Sequence, residues 1–312
     1  MKSSKKPLVY IIILNWNGKK HLSYCLPSVV KTDYSNLRIV VADNGSTDGS
    51  QAFVHRFKNV ELIENKKNMG FAAGNNAGIK YALDEGAKYI VLLNNDTLVD
   101  KDWISVAVKC AEKDEKIGML GFNLFGAEKP ADINDFYKAI KKKTKSFKYS
   151  EDYVCGCAMF VTRFLIEKIG IMDPIYFIYD EEIDWGKRAK RAGFKIAYVD
   201  VPIYHNLAST TKKIFLKTSF LQIRNTIRCS IKNDNIFQIL RRFLAVINTA
   251  CNPFKKIDKE NAIFVRLRPF NPLINLIVIV NAFAWNFLFL PQTLYARSKR
   301  FQNFNKINSI KC

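Results

Sequence analysis

The amino-acid sequence predicts an α/β layered fold followed by a helical C-terminal extension. Three observations predict it. Near-continuous Val/Ile/Leu runs, such as "VYIIIL" and "YIVLLN", are typical of parallel strands buried on both faces. Stretches with helical apolar spacing alternate with them, and that alternation builds layered α/β folds. After about residue 212 the alternation gives way to long apolar helical runs interspersed with Arg and Lys.

The first strand is Val9–Leu14, and a helix is expected over Lys19–Thr32, with Leu22, Leu26, Val29 and Val30 on one side. "LRIVVAD", Leu37–Asp43, is the second strand. A helix at Gly49–Phe57 and the short strand "VELIE" follow, then a helix from Gly74 to Glu85 and the strand "YIVLLN". The polar, basic stretch "DINDFYKAIKKKTKSFKYSEDY" reads as a mobile loop over one face. "VCGCAMFVT" reads as a strand and "RFLIEKIGIMD" as a helix closed by Gly170. "YDEEIDWGKRAKRAGF" has acids in its first turn, bases in its last and Gly193 beyond its end, an order that suits a helix and its dipole. "KIAYVDVPIYH" is a strand ending at His205. Helices are expected over Phe215–Ile231 and Ile236–Ala250.

Leu273–Leu290 is a mostly apolar run between Pro272 and Pro291, with Asn275, Asn281 and Asn286 inside it. Its length is borderline for a membrane span and Asn is costly in lipid. An interfacial helix is the first reading, ahead of a span or a packing helix. The apolar N-terminal run Leu8–Leu14 is short and lacks a small-residue cleavage site, so a buried strand explains it better than a signal peptide.

The 312 residues carry a formal net charge of +21, unevenly spread. From Val201 on there are 18 Lys/Arg against 3 Asp/Glu. Such a surface attracts polyanions: nucleic acid, anionic lipid or a diphosphate-linked substrate. Interleaving with apolar runs suits a membrane surface better than a nucleic-acid groove. A non-catalytic basic protein that binds membrane or nucleic acid is the alternative to an enzyme. The seven cysteines are scattered without zinc spacing, and Cys155-Gly-Cys157 is too tight for a usual zinc half-site. Reduced thiols of a cytosolic protein are the economical reading.

In open α/β sheets ligands collect at the carboxyl ends of the strands. Three such ends are polar here: Asn15-Trp16-Asn17-Gly18, Asp43-Asn44-Gly45-Ser46 and Asn94-Asn95-Asp96. "NWNG" cannot serve as a dinucleotide-binding GxGxxG loop, and it lacks the Gly-rich basic loop a nucleotidyltransferase needs. A carboxylate at Asp43 can accept from the ring N–H of uracil or thymine, although the same stretch could be a turn capping the next helix. "NMGFAAGNNAGI" packs small residues and amides at a helix start, which suits either close approach of a sugar or a tight helix entry.

Six pieces in order, "IIILNWNG", "ADNGSTDGS", "NMGFAAGNNAGI", "LLNNDT", "GCAMFVTR" and "DEEIDWGKRAKRAGF", resemble the inverting glycosyltransferases of family 2. These have the GT-A fold, a Rossmann-like mixed sheet flanked by helices. The resemblance covers about residues 8–232 and is nearest to the rhamnosyltransferase-like branch that builds polysaccharides and lipid-linked oligosaccharides. It implies a nucleotide-diphosphate-sugar site formed by Asn15, Asn17, Asp43, Asn44, Ser46, Asn68, Gly70, Gly74, Asn75, Asn94 and Asn95, with Asp43 holding the base. Asn94-Asn95-Asp96 matches the DxD motif, whose last acid helps bind a divalent metal; its first position is Asn here. His205 is a candidate additional metal or phosphate contact. Glu181-Glu182 matches the Glu-Asp motif of the catalytic base, with Glu182 where Asp is usual. Arg224-Asn225 resembles a late motif of the same branch.

In-line attack by an acceptor hydroxyl inverts the anomeric carbon, and that hydroxyl must lose its proton as the bond forms. Glu182 is the expected base and Glu181 the second choice. Mg²⁺ or Mn²⁺ would neutralise the leaving diphosphate. The expected partners are a UDP- or dTDP-sugar, a glycan or lipid-linked acceptor and an anionic membrane surface, without nucleic acid. The expected location is cytoplasmic, peripheral or monotopic at the membrane face. Residues 1–211 are expected to form the catalytic domain, with a nucleotide-sugar half over about 1–100 and an acceptor half over about 101–211, and 212–312 the basic helical extension.

Overall fold

The computed structural model describes residues 6–125, 133–142, 147–150, 153–206, 215–251 and 272–299. They group into two compact units. One holds the residues up to Ile175 together with those from Trp185 through the strand ending at His205. The other holds Tyr176–Asp184 and the C-terminal helices. The predicted boundary at 211–212 lies outside the described residues.

The first unit is a mixed sheet with helices on both faces. Its strands are β1 (Val9–Asn15), β2 (Leu37–Asp43), β3 (Val60–Glu64), β4 (Tyr89–Asn94), β5 (Thr97–Val99), β6 (Ile117–Phe125), β7 (Phe147–Ser150), β8 (Ala158–Thr162) and β9 (Lys195–His205). The order is β3-β2-β1-β4-β8-β6-β9-β5, with β7 also paired to β9. The run β3-β2-β1-β4 is parallel, as the unbroken aliphatic sequences predict. β8 enters antiparallel to both β4 and β6, which makes the sheet mixed.

Side chains alternate between faces along each strand, and two cores result. Ile11, Ile13, Val41 and Val91 join one; Ile12, Val40, Ile90 and Leu92 join the other. The flanking helices are α1 (Lys19–Val30), α2 (Ser50–Val54), α3 (Gly70–Asp84), α4 (Trp103–Ala111), α5 (Ile133–Lys142), α6 (Arg163–Ile169) and α7 (Glu181–Arg191).

The structure differs from the sequence expectations in three places. α3 begins at Gly70, four residues before the expected start, because Gly70 adopts φ +82° and turns the chain into the helix. The stretch read as a mobile loop holds α5 and β7. Phe136 anchors α5: it is buried, with its ring centroid 6.0 Å from that of Tyr204 on β9. Ile133, Phe136, Tyr137 and Ile140 stand at helical spacing, a signal that the surrounding lysines and polar residues masked. Residues 126–132, 143–146 and 151–152 of the same region lie outside the described residues. Finally, the sequence expectations include no element over β5, α4 and β6, although Trp103, Ile104 and Leu120 are fully buried.

The second unit contains α8 (Phe215–Asn233), α9 (Ile236–Cys251), α10 (Pro272–Leu288) and α11 (Leu290–Ser298). Its core is Ile223, Ile227, Val246, Val278, Ile279 and Ala282. The apolar run read as one segment, Leu273–Leu290, divides at Phe289, and α10 and α11 meet with a 57° bend. Pro291 in the first turn of α11 suits a new helix start, since its missing N–H would be unsatisfied there anyway. Among the described residues no single helix is long and apolar enough to cross a membrane; only the bent pair reaches that length and composition. Asn275 and Asn286 are buried, and Asn281 bonds back to Ile277 O at 2.8 Å.

Candidate active site

The strand ends in the first unit converge. Asn15 and Asp43 are register partners at the ends of β1 and β2, and both are buried. Asn15 Nδ2 donates to Asp43 Oδ1 at 2.8 Å, and Ser46 Oγ donates to the same oxygen at 2.6 Å. Asp43 Oδ2 accepts from Ser46 N and from Gln51 Nε2, both at 2.9 Å. The carboxylate thus takes four hydrogen bonds, about the number its two oxygens offer. Gln51, a partner the sequence reading missed, is half-buried and also donates to Ser46 O at 2.8 Å. A long amide in the first turn of α2 gives no sequence signal for that reach.

Asn17 closes the first loop. Its N–H donates to Ser46 Oγ at 2.8 Å, and its Oδ1 accepts from Thr47 N at 2.8 Å. Asn17 has φ +48°, a region Asn tolerates better than most residues. Asn44 is buried and ties this edge to the start of α3: its Nδ2 donates to Gly70 O at 2.9 Å and lies 3.3 Å from Asn68 Oδ1. Gly74 lets α3 approach, since a Cβ there would sit 2.6 Å from Leu14 and 2.7 Å from Asn44. Asn75 is turned inward and donates to Phe71 O at 3.0 Å within its own helix.

The β4 end continues the same edge, because Asn94 is the register partner of Leu14. Asn95 Nδ2 donates to Asn15 Oδ1 at 2.7 Å, so an amide chain links Asn95, Asn15 and Asp43. β5 then pairs antiparallel with β9, with Thr97 opposite His205. That pairing brings Asp96 and His205 together, 109 residues apart in sequence, with Oδ1 3.3 Å from Nε2. Asp96 Oδ1 and His205 Nδ1 are buried and make no hydrogen bond. A carboxylate oxygen and an imidazole nitrogen are ligands that divalent cations of the Mn²⁺ type accept. Among the described residues no group of three or more His, Cys, Asp or Glu is assembled to hold an ion, so a cation here would draw its other ligands from substrate and water.

Burial pulls the His205 pKa down, but the Asp96 carboxylate and Cys155 beside it raise it on balance. The Cys155 thiol is lowered to about 6, chiefly by the hydrogen bond with Cys157, against the opposing effect of burial.

Glu181 and Glu182 open α7 and belong to the second unit. Glu181 is buried and Glu182 half-buried. The residues before them are strained: Phe177, Tyr179 and Asp180 have φ of +65°, +74° and +67°, and none is glycine. Each such conformation costs about 1–2 kcal/mol for an L-residue. Asp184 is fully buried, pairs with Lys232 Nζ at 3.0 Å and accepts from Asn233 Nδ2 at 2.8 Å. Trp185 is a core residue that donates to Gly170 O at 2.9 Å, and Trp16 is half-buried.

The chain is similar to an uncharacterized glycosyltransferase of Haemophilus influenzae, 29% identical over 119 residues, spanning 37% of this chain and 36% of that protein's length. It is also similar to N-acetylglucosaminyl-diphospho-decaprenol L-rhamnosyltransferase of Mycobacterium tuberculosis, 23% identical over 235 residues, covering 64% of this chain and 76% of that one. Among solved structures it is similar in fold to the mannosyltransferase PcManGT from Pyrobaculum calidifontis in complex with GDP-Man and Mn²⁺, with a TM-score of 0.55 and 15% identity over 95% of this chain and 87% of that one. The mixed sheet with its flanking helices is the GT-A fold that the motifs implied. The family model for Glycosyl transferase family 2 matches residues 10–170, more than half of the sequence, and the chain therefore belongs to that family of transferases.

Proposed function

We propose that the chain transfers a sugar from a UDP- or dTDP-linked donor to a hydroxyl of a glycan or lipid-linked acceptor, with inversion and with help from a divalent cation. The observation that carries this reading is the convergence of the Asn15–Asp43–Ser46 network and the Asp96–His205 pair at one sheet edge.

Asp43 would receive the pyrimidine N–H. Its four acceptor positions are taken, so the base must displace one donor, and Gln51 is the half-buried one. Asn17, Asn44, Asn68, Gly70, Gly74 and Asn75 would shape the wall for ribose and sugar, with Asn94 and Asn95 toward the diphosphate. Asp96 and His205 would hold Mg²⁺ or Mn²⁺. When bound, that cation neutralises charge on the leaving diphosphate. Glu182 would take the acceptor proton, with Glu181 as second choice; both sit in the first turn of α7, where the helix dipole favours the ionised carboxylate.

Catalytic family membership speaks against a non-catalytic basic protein. We further assign the second unit to an anionic lipid surface at the cytoplasmic face, because its exposed apolar residues lie within the basic part of the chain. Phe237, Leu240 and Leu244 of α9 are exposed beside Arg241 and Arg242.

The enzymatic reading is tested by nucleoside diphosphate release from a panel of UDP-, dTDP- and GDP-sugars with and without Mn²⁺ or Mg²⁺. A cation-dependent rate with one donor is expected, falling about 10²-fold or more in Asp96→Ala. Near-normal turnover in that variant would sink the cation assignment.

A further inference from the structure

The motif Arg224-Asn225 has no role in the reading above, yet it is among the most completely bonded pairs in the molecule. Asn225 is fully buried in α8. Its Nδ2 lies 2.9 Å from Tyr176 O, 2.8 Å from Ile178 O and 2.8 Å from Tyr179 O. Two N–H bonds therefore serve three carbonyls, one of them shared. Its Oδ1 accepts from Arg224 Nε at 2.8 Å and Nη2 at 2.6 Å. Since a guanidinium only donates, this pairing fixes which way the amide faces and aims its NH₂ at the three carbonyls.

Arg224 is itself pinned. Its Nη2 donates to Tyr176 O at 2.9 Å, and its guanidinium lies 4.6 Å from the ring centroid of Trp285 on α10. Asn286 Nδ2, next along α10, donates to Arg224 O at 3.0 Å. The following residue, Thr226, donates from Oγ1 to Asp180 Oδ2 at 3.1 Å.

The side chains of Arg224, Asn225 and Thr226 all bond to one short segment, Tyr176–Asp180, which carries three of the four non-glycine residues with positive φ among the described residues. Glycine would relax such positions at no steric cost. A cluster of strained side-chain-bearing residues persists only where its surroundings over-determine it, and such clusters gather at functional sites. The segment runs directly into Glu181 and Glu182.

We propose that Asn225, oriented by Arg224, is a positioning residue for the catalytic base. It holds 176–180 in a rigid left-handed strap, and the strap sets the direction in which the Glu182 carboxylate meets the acceptor hydroxyl. The proposal rests on the reading of Glu182 as base. It separates two duties: residues of the first unit bind the donor, and α8 aims the acid.

The test uses the full chain and the donor that gives the fastest nucleoside diphosphate release. Affinity is read by calorimetry with that donor's free nucleoside diphosphate plus Mn²⁺. In Asn225→Ala, kcat is expected to fall about 10²-fold, as a roughly 1 Å misplacement of a reacting group costs. KM for the donor and nucleoside diphosphate affinity stay within about twofold, since the reading places neither contact in this segment. Asn225→Asp keeps the acceptor for Arg224 but loses the NH₂, and the same loss is expected. Thr226→Val is nearly isosteric, keeps the fold and removes one hydrogen bond to the strap; kcat is expected to fall about fivefold.

Unchanged kcat in Asn225→Ala overturns the proposal, as does a parallel loss of nucleotide affinity, which marks general destabilisation. If Asn225→Ala does not fold, unchanged kcat in Thr226→Val overturns it. Glu182→Gln is measured alongside. Normal turnover there with a loss in Asn225→Ala rejects Glu182 as base but keeps the strap as the element that positions its neighbour, read next on Glu181→Gln. A dead Glu182→Gln with a normal Asn225→Ala rejects the strap alone.

Discussion

At the scale of single residues, the proposed donor edge holds amides whose positions leave no room for a methyl group at Gly18. Gly18 precedes α1, and a Cβ there would fall 2.1 Å from Asn95 Nδ2 and 2.6 Å from Asn15 Oδ1. Those two atoms form the 2.7 Å bond that joins the β4 end to the β1 end. Gly18→Ala is therefore expected to break that bond. The protein should stay folded, with about 1–3 kcal/mol lost in denaturant unfolding, and nucleoside diphosphate affinity should fall about tenfold or more. Unaltered affinity in calorimetry would remove the amide chain from the donor site. The sequence made Asn15, Asp43 and Ser46 legible as strand-end polar residues. It could not reveal Gln51 on Asp43, because a side chain reaching back across a turn follows no period.

At the scale of elements, the strand-forming runs of β1, β2, β4 and β9 were readable to within a residue, since buried aliphatic stretches bounded by polar residues have few other uses. β5 was not readable: three residues carry no periodicity, and its importance lies in a long-range pairing. The proximity of Asp96 and His205 is a product of that pairing. A second long-range tie joins α3 to the chain after α6. Asn76 Nδ2 donates to Met172 O at 2.8 Å, and Asn76 Oδ1 accepts from Met172 N at 3.2 Å. Both groups are buried, so Asn76→Ala leaves two backbone groups unpaired and should cost about 2–4 kcal/mol in unfolding experiments. A change below about 0.5 kcal/mol would mean that water replaces the amide.

Electrostatics adds a smaller tie between elements. Asp114, between α4 and β6, accepts from Lys195 Nζ at 2.7 Å and from Tyr149 Oη at 2.9 Å. The Lys195 hydrogen bond leads in lowering its pKa to about 2. A depressed carboxylate stabilises the fold above its unfolded pKa and loses that contribution as pH falls through the folded one. The small gap in unfolding midpoint between wild type and Asp114→Asn should thus be constant above about pH 4 and close toward pH 2. A gap that persists at pH 2 would show that charge is not its source.

At the scale of the whole molecule, basicity and exposed apolar surface coincide in the second unit. Phe237 is 79% and Leu244 68% exposed on α9, and Phe287 is 78% exposed on α10. Flotation should bring the protein up with anionic liposomes more than with neutral ones. Raising salt to about 0.5 M should weaken that binding, because screening shortens the reach of surface charge. Phe237→Asp with Leu244→Asp should lower the bound fraction further. Equal flotation on neutral and anionic vesicles would remove the electrostatic part of the proposal. Composition made this third of the chain stand out, but the division of its apolar run at Phe289 needed coordinates, since a proline beyond a long run marks either an end or a bend.

The grouping of Tyr176–Asp184 with the C-terminal helices has a consequence for recombination. Neither compact unit is contiguous along the chain. A single crossover placed after His205, where a designer would cut, pairs one parent's acid-bearing segment with another parent's α8 and leaves three bent carbonyls facing a foreign side chain. A working hybrid needs two further junctions, near residues 175 and 184, so that the nine residues Tyr176–Asp184 travel with the tail.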